Sequence, residues 1–409
     1  MTEGPYKLPE GWRWVRLGEV ALKPQYGYTT SAVTEAVGPK FLRITDISSG
    51  EIDWESVPYC SAAGKVLEKY KLRVGDVLFA RSGSVGATVV IRETPPDAVF
   101  ASYLIRVRLR EEVLPEYAEW LLKAPVSQSQ LVPQGAAQKN INARHIEQVL
   151  IPLPHLEEQR RIVGRIEELM GRVREARRLR QEAQKDAERL WQSVLAQTFP
   201  RPGSNLPEGW RWVRLGEVCT LIEVGFAFRK NGTPEGDLLH LRPYNIGEDG
   251  TLVLSQRFYL PSSLGSARHK MPQPGDVLFN NTNSVELVGK TALVREPLEA
   301  AFSNHITLLR SDTTKAQGAW IALALQALWR QGFFANLCNK WIGQAGINTE
   351  TLKSVLISLP PLEEQRRIVA DLQAVQEKIQ AFKEAQAATE AELRRLEQAI
   401  LEKAFRGEL

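Results

Sequence analysis

The chain is written twice, and that constrains its fold more than any other feature. The run LPEGWRWVRLGEV at residues 8–20 returns unchanged at 206–218, and GDVLF at 75–79 returns at 275–279. IPLPHLEEQRRIV at 151–163 is echoed by ISLPPLEEQRRIV at 357–369. The offset between copies grows from 198 through 200 to 206, so the second copy keeps the plan and adds loop insertions. Self-similarity on this scale means two units of one design. Between the anchors the halves diverge, and a shared frame around unlike interiors suggests two recognition units with different targets, the alternative being a recent duplication drifting under no functional demand.

Each copy ends in a segment suited to a long helix. Over 156–199 and 362–405 proline and glycine almost vanish, Gly164 and Gly171 excepted, while Glu, Gln, Arg, Ala and Leu dominate. Both segments start after a proline-rich exit with an acidic pair, Glu157 and Glu158 or Glu363 and Glu364, which suits the positive end of a helix. Apolar residues follow a four-three spacing: Ile162, Ile166, Leu169, Val173, Leu190 and Val194 in the first, Ile368, Leu372, Val375, Ile379, Leu393 and Ile400 in the second. That spacing is the seam of a coiled coil. Roughly 43 residues at ~1.5 Å each give ~65 Å, longer than a small domain is wide.

Only residues 200–206 separate the first helix from the second globular segment, which runs straight into the second helix. The helices are therefore expected to lie antiparallel, with a globular segment at each end and the chain termini beside the first. Arg180 and Gln386 interrupt the seam at equivalent places. They are expected to face each other as a polar layer that fixes register, the alternative being a solvent-facing kink.

The globular segments read as short strands punctuated by turns, followed by a helical stretch, an α+β pattern. After GDVLF the first copy carries Arg81, Ser82, Gly83 and Ser84, and the second Asn280, Asn281, Thr282, Asn283 and Ser284. Arginine reads guanine edges and asparagine reads adenine in the major groove, so such a swap would change the sequence read; solvated polar turns are the competing reading. Arg43 and Arg242 occupy matching strand positions, where structural pairing competes with DNA contact. Tyr244 and Lys290 complete the candidates in that part of the second copy. GAAQKNIN and GQAGIN share a glutamine (Gln138, Gln344) and an asparagine (Asn142, Asn348). Lys139, Asn140, Lys340 and Gln344 are candidate DNA contacts, while helix capping competes for the shared asparagines.

Composition sets outer limits. The net charge of +4 and pI near 8.8 permit a nucleic-acid partner without requiring one. Three dispersed cysteines and five scattered histidines form no zinc or disulfide pattern. No membrane span or export signal is visible, which points to the cytoplasm. There is no glycine-rich dinucleotide loop, no P-loop and no methyltransferase base-holding motif, so catalytic chemistry is expected on other chains.

Taken together, LPEGWRWVRLGE, GDVLF, PLEEQRRI and the terminal LEQAILEKAFRGEL resemble the specificity subunit of type I restriction-modification enzymes over nearly the whole chain. The resemblance implies target-recognition domains at 1–155 and 207–361, spacer helices at 156–199 and 362–409 (the latter with a C-terminal tail), and a linker at 200–206. The implied fold is two α+β domains separated by two long antiparallel coiled-coil helices, with an internal pseudo-twofold repeat. It also implies a bipartite, asymmetric duplex DNA target and a complex with two methyltransferase and two restriction/translocase subunits. S-adenosylmethionine, ATP and magnesium are then expected on those partners, with no cofactor, metal or catalysis on this chain. The alternatives are a non-catalytic coiled-coil adaptor or the specificity subunit of a related methyltransferase-only system.

Overall fold

GDVLF folds identically in its two settings. Gly75 and Gly275 take positive φ, +84° and +93°, which glycine adopts freely. The residues that follow form fully buried central strands, Val77–Ala80 and Val277–Asn280. Around the first, a four-stranded antiparallel sheet runs in the order Gln25–Tyr26, Leu104–Val107, Val77–Ala80, Thr88–Val90. Around the second, the order is Cys219–Val224, Ile306–Ser311, Val277–Asn280, Thr291–Leu293. Each copy adds a parallel pair, Lys40–Leu42 with Ala98–Phe100 and Leu238–Leu241 with Ala300–Phe302. The structure is a computed structural model that describes residues 4–48, 50–82, 86–131, 141–228, 236–261 and 271–409.

The aspartate of each GDVLF run is a buried hub. Asp76 accepts from the Arg73 N–H at 3.0 Å and from the Arg108 guanidinium at 2.6 and 3.2 Å. Asp276 repeats this with the Gln273 N–H at 2.7 Å and Arg310 at 2.8 and 2.6 Å. The motif is thus a turn, a buried ion pair and a central strand in one run of residues.

The other two repeated motifs meet each other. The RWVR strands Arg13–Arg16 and Arg211–Arg214 pair antiparallel with Leu150–Leu153 and Leu356–Leu359, the strands that lead into the long helices. Those helices are Leu156–Thr198 and Leu362–Arg406. The glutamine of LEEQRR is fully buried in both. Gln159 Oε1 accepts the Leu114 N–H at 2.9 Å, and its Nε2 donates to the Glu112 and Pro154 carbonyls, each at 2.9 Å. Gln365 repeats the pattern with the Gln317 N–H at 3.0 Å and the Lys315 and Pro360 carbonyls at 3.1 and 2.9 Å.

The chain divides into two compact units inside the helices: Met1–Arg180 with Gln386–Leu409, and Gln181–Ala385. In the first unit Ile162, Ile166, Met170 and Val173 share one core with Ile400, Leu401, Ala404 and Phe405, with Leu169 and Leu393 at its margin. The pairing is antiparallel: Arg161 donates to the Leu409 carbonyl at 2.8 Å, Arg177 grips Glu397 at 2.7 and 2.9 Å, and Arg180 Nε donates to Gln386 Oε1 at 2.8 Å. Arg180 also donates to Glu390 and holds that carboxyl below its ordinary pKa. The expected Arg180–Gln386 layer is therefore present, with charges added to it.

In the second unit Trp191, Leu195 and Phe199 share a core with Val369 and Leu372, while Val194, Ile368, Val375 and Ile379 pack at its edge. Lys383 lies 3.6 Å from Glu188, again antiparallel. One expected seam position is corrected. Leu190 is 56% exposed, and Trp191 takes its place. The position four residues after the half-buried Ala187 competes with the position three after it, and the indole buries more apolar area than leucine.

Replacing Gln365 with leucine conserves volume but strands one N–H and two carbonyls. A loss of ~1–3 kcal/mol per stranded group is expected, read as a lower urea midpoint, with Gln159→Leu behaving alike in the first unit. An unchanged midpoint would show that water satisfies those groups.

Candidate DNA interface

Backbone hydrogen bonds place Arg81 and Asn281 in the same slot. The Arg81 N–H donates to the Tyr103 carbonyl at 3.0 Å and its carbonyl accepts the Ile141 N–H at 2.9 Å. Asn281 makes the same two bonds, to His305 at 3.0 Å and from Ile347 at 2.9 Å. What the slot presents differs between copies.

In the first unit the Arg81 guanidinium lies 4.9 Å from the centre of the Tyr26 ring, with its Nε 3.4 Å from the Ile141 carbonyl. Tyr26 is itself fixed, its hydroxyl accepting the Ala143 N–H at 2.9 Å. Tyr103, whose carbonyl accepts the Arg81 N–H, is 60% exposed. Arg81 over Tyr26, with half-buried Ser82 next in the chain and exposed Tyr103 on the hydrogen-bonded neighbouring segment, offers a cation and aromatic rings, chemistry suited to phosphates and base faces. Ser84, Lys139 and Asn140 lie outside the described residues, as does Gln138.

In the second unit the slot turns inward. Asn281 is buried, its Nδ2 donating to the Asn304 carbonyl at 3.2 Å and to Thr307 Oγ1 at 2.9 Å, its Oδ1 accepting from Thr282 at 2.7 Å. Asn280 is fully buried and donates to the Leu287 carbonyl at 3.0 Å. Lys290 is buried and donates to the Ile246 carbonyl at 2.7 Å, its pKa lowered by desolvation. The expectation that these three side chains meet DNA is corrected: all three are buried and donate within the domain, and of their polar atoms Asn280 Oδ1 is buried without a partner. Asn283 remains half-buried, its Oδ1 accepting the Ser284 N–H at 2.9 Å.

Three of the sequence candidates come together in one small sheet. Thr282–Asn283 pairs with Gln344–Gly346, which pairs with Asn339–Trp341, so Asn283, Lys340 and Gln344 share a sheet. Lys340 and Gln344 are exposed. Between them stand Trp341, 61% exposed, and Ile342, fully exposed. Sequence reasoning passed over Trp341 and Ile342, as it did Tyr26 and Tyr103, because a lone aromatic or aliphatic residue usually belongs to a core. The available signal was the placement of Trp341 and Ile342 directly before Gly343 in an otherwise polar run.

Each of the matched arginines makes a contact inside its own domain. Arg43 is bound to Asp46 through Nε at 3.1 Å and Nη2 at 2.8 Å, a hydrogen bond that raises its pKa. Arg242 instead lies 3.8 Å from the centre of the Phe258 ring, and its N–H donates to Asn245 at 2.9 Å. Tyr244 beside it is exposed. Asn142 and Asn348 cap helices Ala143–Gln148 and Thr349–Ser354 by accepting the His145 and Thr351 N–H groups at 3.0 and 2.8 Å. No cluster of three or more metal-ligating side chains occurs among the described residues.

The type I restriction modification DNA specificity domain family matches residues 9–183 and 207–390. This chain belongs to that family. The specificity subunit is 24% identical to the type I restriction enzyme EcoKI specificity subunit of Escherichia coli K12 over 98% of this chain and 90% of that protein. It is 22% identical to the StySPI specificity subunit of Salmonella potsdam, with the same coverage. Among solved structures, a chain from work on complex assembly and conformational transition of the type I R-M system shows 36% identity and a TM-score of 0.77, covering 99% of this chain and all of that one. The HsdS subunit from Thermoanaerobacter tengcongensis shows 37% identity and a TM-score of 0.59 with both chains fully covered. The EcoKI and StySPI relatives are specificity subunits, and the family domain matches once in each repeat of the present chain.

Two substitutions in the shared slot separate reading from folding. Asn281→Ala is expected to cost ~1–3 kcal/mol of stability by stranding Thr307 and Thr282 partners. Arg81→Ala should leave the thermal midpoint almost unmoved while weakening duplex binding in fluorescence anisotropy. Equal thermal losses would make Arg81 a structural residue as well.

Proposed function

We propose that this specificity subunit reads a bipartite, asymmetric duplex target, one half with each recognition domain, and sets partner subunits on it. The observation that carries this reading is the shared slot: identical backbone bonds hold Arg81 in one domain and Asn281 in the other, so the frame repeats while the presented chemistry changes. The two exposed patches differ accordingly, Arg81 with Tyr26 and Tyr103 against Lys340, Trp341, Gln344 and Asn283. Unlike readers require unlike half-sites.

Catalysis in this reading lies with two methyltransferase subunits carrying S-adenosylmethionine and, for cleavage, two restriction/translocase subunits using ATP and magnesium. This chain binds none of these cofactors and works in the cytoplasm, where host DNA is. No helix among the described residues is long and apolar enough to cross a membrane. A twofold partner requirement is supported by Leu190 and Leu396, which occupy equivalent positions in the two long helices and are 56% and 48% exposed. A single exposed leucine is ordinary on a helix surface; its recurrence at the same place in both helices is what suits two copies of one partner.

Methylated adenines mapped in a host carrying the complete system should fall in two unlike half-sites separated by unread base pairs. A palindrome or one continuous site would defeat the two-reader proposal. Leu190→Asp and Leu396→Asp should each remove one methyltransferase subunit from the purified complex, and the double variant both, as read by native mass spectrometry. Full stoichiometry in the double variant would place the docking surface elsewhere.

A further inference from the structure

The hairpin formed by Asn339–Trp341 and Gln344–Gly346 is firmly rooted and bare at its tip. Its root is tied down on the side of Gln344–Gly346: that strand pairs with Thr282–Asn283, Ala345 and Ile347 belong to the domain core, and the Ile347 N–H donates to the Asn281 carbonyl at 2.9 Å. At the tip Trp341 pairs with Gln344, and Gly343 takes φ +77° to turn the chain. A tight turn usually carries small polar residues. Here it carries Trp341, 61% exposed, and Ile342, fully exposed.

The tryptophan is also braced. A Cβ at Gly346 would stand only 3.0 Å from Trp341 Cζ3 and 3.2 Å from Cη2, so the absence of a side chain at 346 makes room for the indole beside the strand. The flanking chemistry is cationic and neutral: residues 333–348 contain Lys340 and no aspartate or glutamate. Two apolar side chains on a rigid projection, with a lysine next to them and amides at Asn283 and Gln344, match what a duplex accepts. A lysine can hold phosphate, amides can reach base edges, and an apolar wedge can part a base step.

We propose that this tip is a wedge: Ile342 enters one base-pair step of the half-site read by the second domain, and Trp341 stacks on the base so uncovered. The inference rests on the DNA-reading function proposed above. Parting a step is easiest where stacking is weak, so the wedge would add sequence preference at a position where no side chain reads a base edge. A protein surface could also cover the tip, and the experiment below distinguishes that case.

The complex of this chain with its methyltransferase subunits would be bound to duplexes carrying its mapped target. 2-Aminopurine would be scanned through both half-sites at positions other than the methylated adenines. Fluorescence is expected to rise at one step in a single half-site. Ile342→Ala and Trp341→Ala should abolish that rise and weaken binding about 10- to 100-fold, in line with the loss of one to two stacked contacts, while the salt dependence of binding stays unchanged because no phosphate contact is lost. An abasic site at the step should lower the cost of opening it and so strengthen wild-type binding, while leaving the variants, which no longer open the step, almost unmoved. Ile342→Glu, at a fully exposed position, should fold normally by urea midpoint and bind worst.

Wild-type binding without any local fluorescence rise, or variants that bind and fluoresce like wild type, would overturn the wedge while leaving the reading function intact. Variants that lose methyltransferase subunits rather than DNA affinity would overturn it in favour of a protein contact. Failure of the wild-type complex to bind its mapped duplex would instead defeat the reading function itself.

Discussion

The buried glutamine at the start of each long helix is the interaction on which the arrangement of each copy depends. A helix that begins beside a domain must satisfy its own free N–H groups and leave no backbone group of the domain stranded. Gln159 and Gln365 meet the second demand, because one amide accepts from the residue ahead of a domain helix and donates to two carbonyls on different segments. A primary amide is the only uncharged side-chain group that can accept at one atom and donate twice at another. Glutamate in the same place would bring an unpaired charge into a dry site, and leucine would satisfy nothing. That is a physical reason for LEEQRR to occur unchanged in both copies while the sequence around it drifts.

GDVLF and the RWVR strands follow the same logic with a revealing exception. Asp76 and Asp276 each hold one arginine, Arg108 or Arg310, in matched geometry. Asp76 has a second cation nearby, Arg106, buried at the position opposite Leu78, where the second copy has Leu308 opposite Leu278. Burial pulls Arg106 down to about 10, and it is compensated by the carbonyls of Lys71 and Lys69 and by Gln25. A buried ion pair and a leucine can serve the same place at similar net cost, because desolvation offsets much of the Coulomb gain. The frame therefore tolerates chemical change inside the core wherever hydrogen bonds can be rebalanced, and is strict only where one side chain satisfies several segments at once.

Much of this was legible in the residues, and the illegible part has a common cause. Repeats, helix starts and the α+β character depend on local pattern, and Arg180 facing Gln386 follows from chain connectivity plus symmetry. The capping asparagines could be named with their competitor because N-capping needs only a few consecutive residues. Asn280, Asn281 and Lys290 differ from expectation because polarity in a loop sequence does not reveal whether a side chain points into the domain, and all three are buried. Trp341 and Ile342 were passed over for the converse reason: apolar character is read as burial, and only the hairpin geometry shows them in water. Leu190 gave way to Trp191 because a one-residue choice within a helical seam is decided by which side chain fills the space, a tertiary property.

Recognition chemistry and folding stability are normally in conflict at a binding surface, since polar groups aimed at a ligand are left without partners in its absence. The shared slot shows how this fold separates them. The bonds that keep Arg81 and Asn281 in place are made by main-chain atoms, so the side chain is free to change without loosening the sheet. Where the side chain turns inward, as at Asn281, it joins the core, and the exposed groups Lys340, Trp341 and Gln344 stand on the neighbouring hairpin. Where it turns outward, as at Arg81, an aromatic ring 4.9 Å away supports the guanidinium in the absence of DNA. Divergence between the two domains can then proceed at constant architecture, and the two halves of one chain acquire different surfaces on the same scaffold.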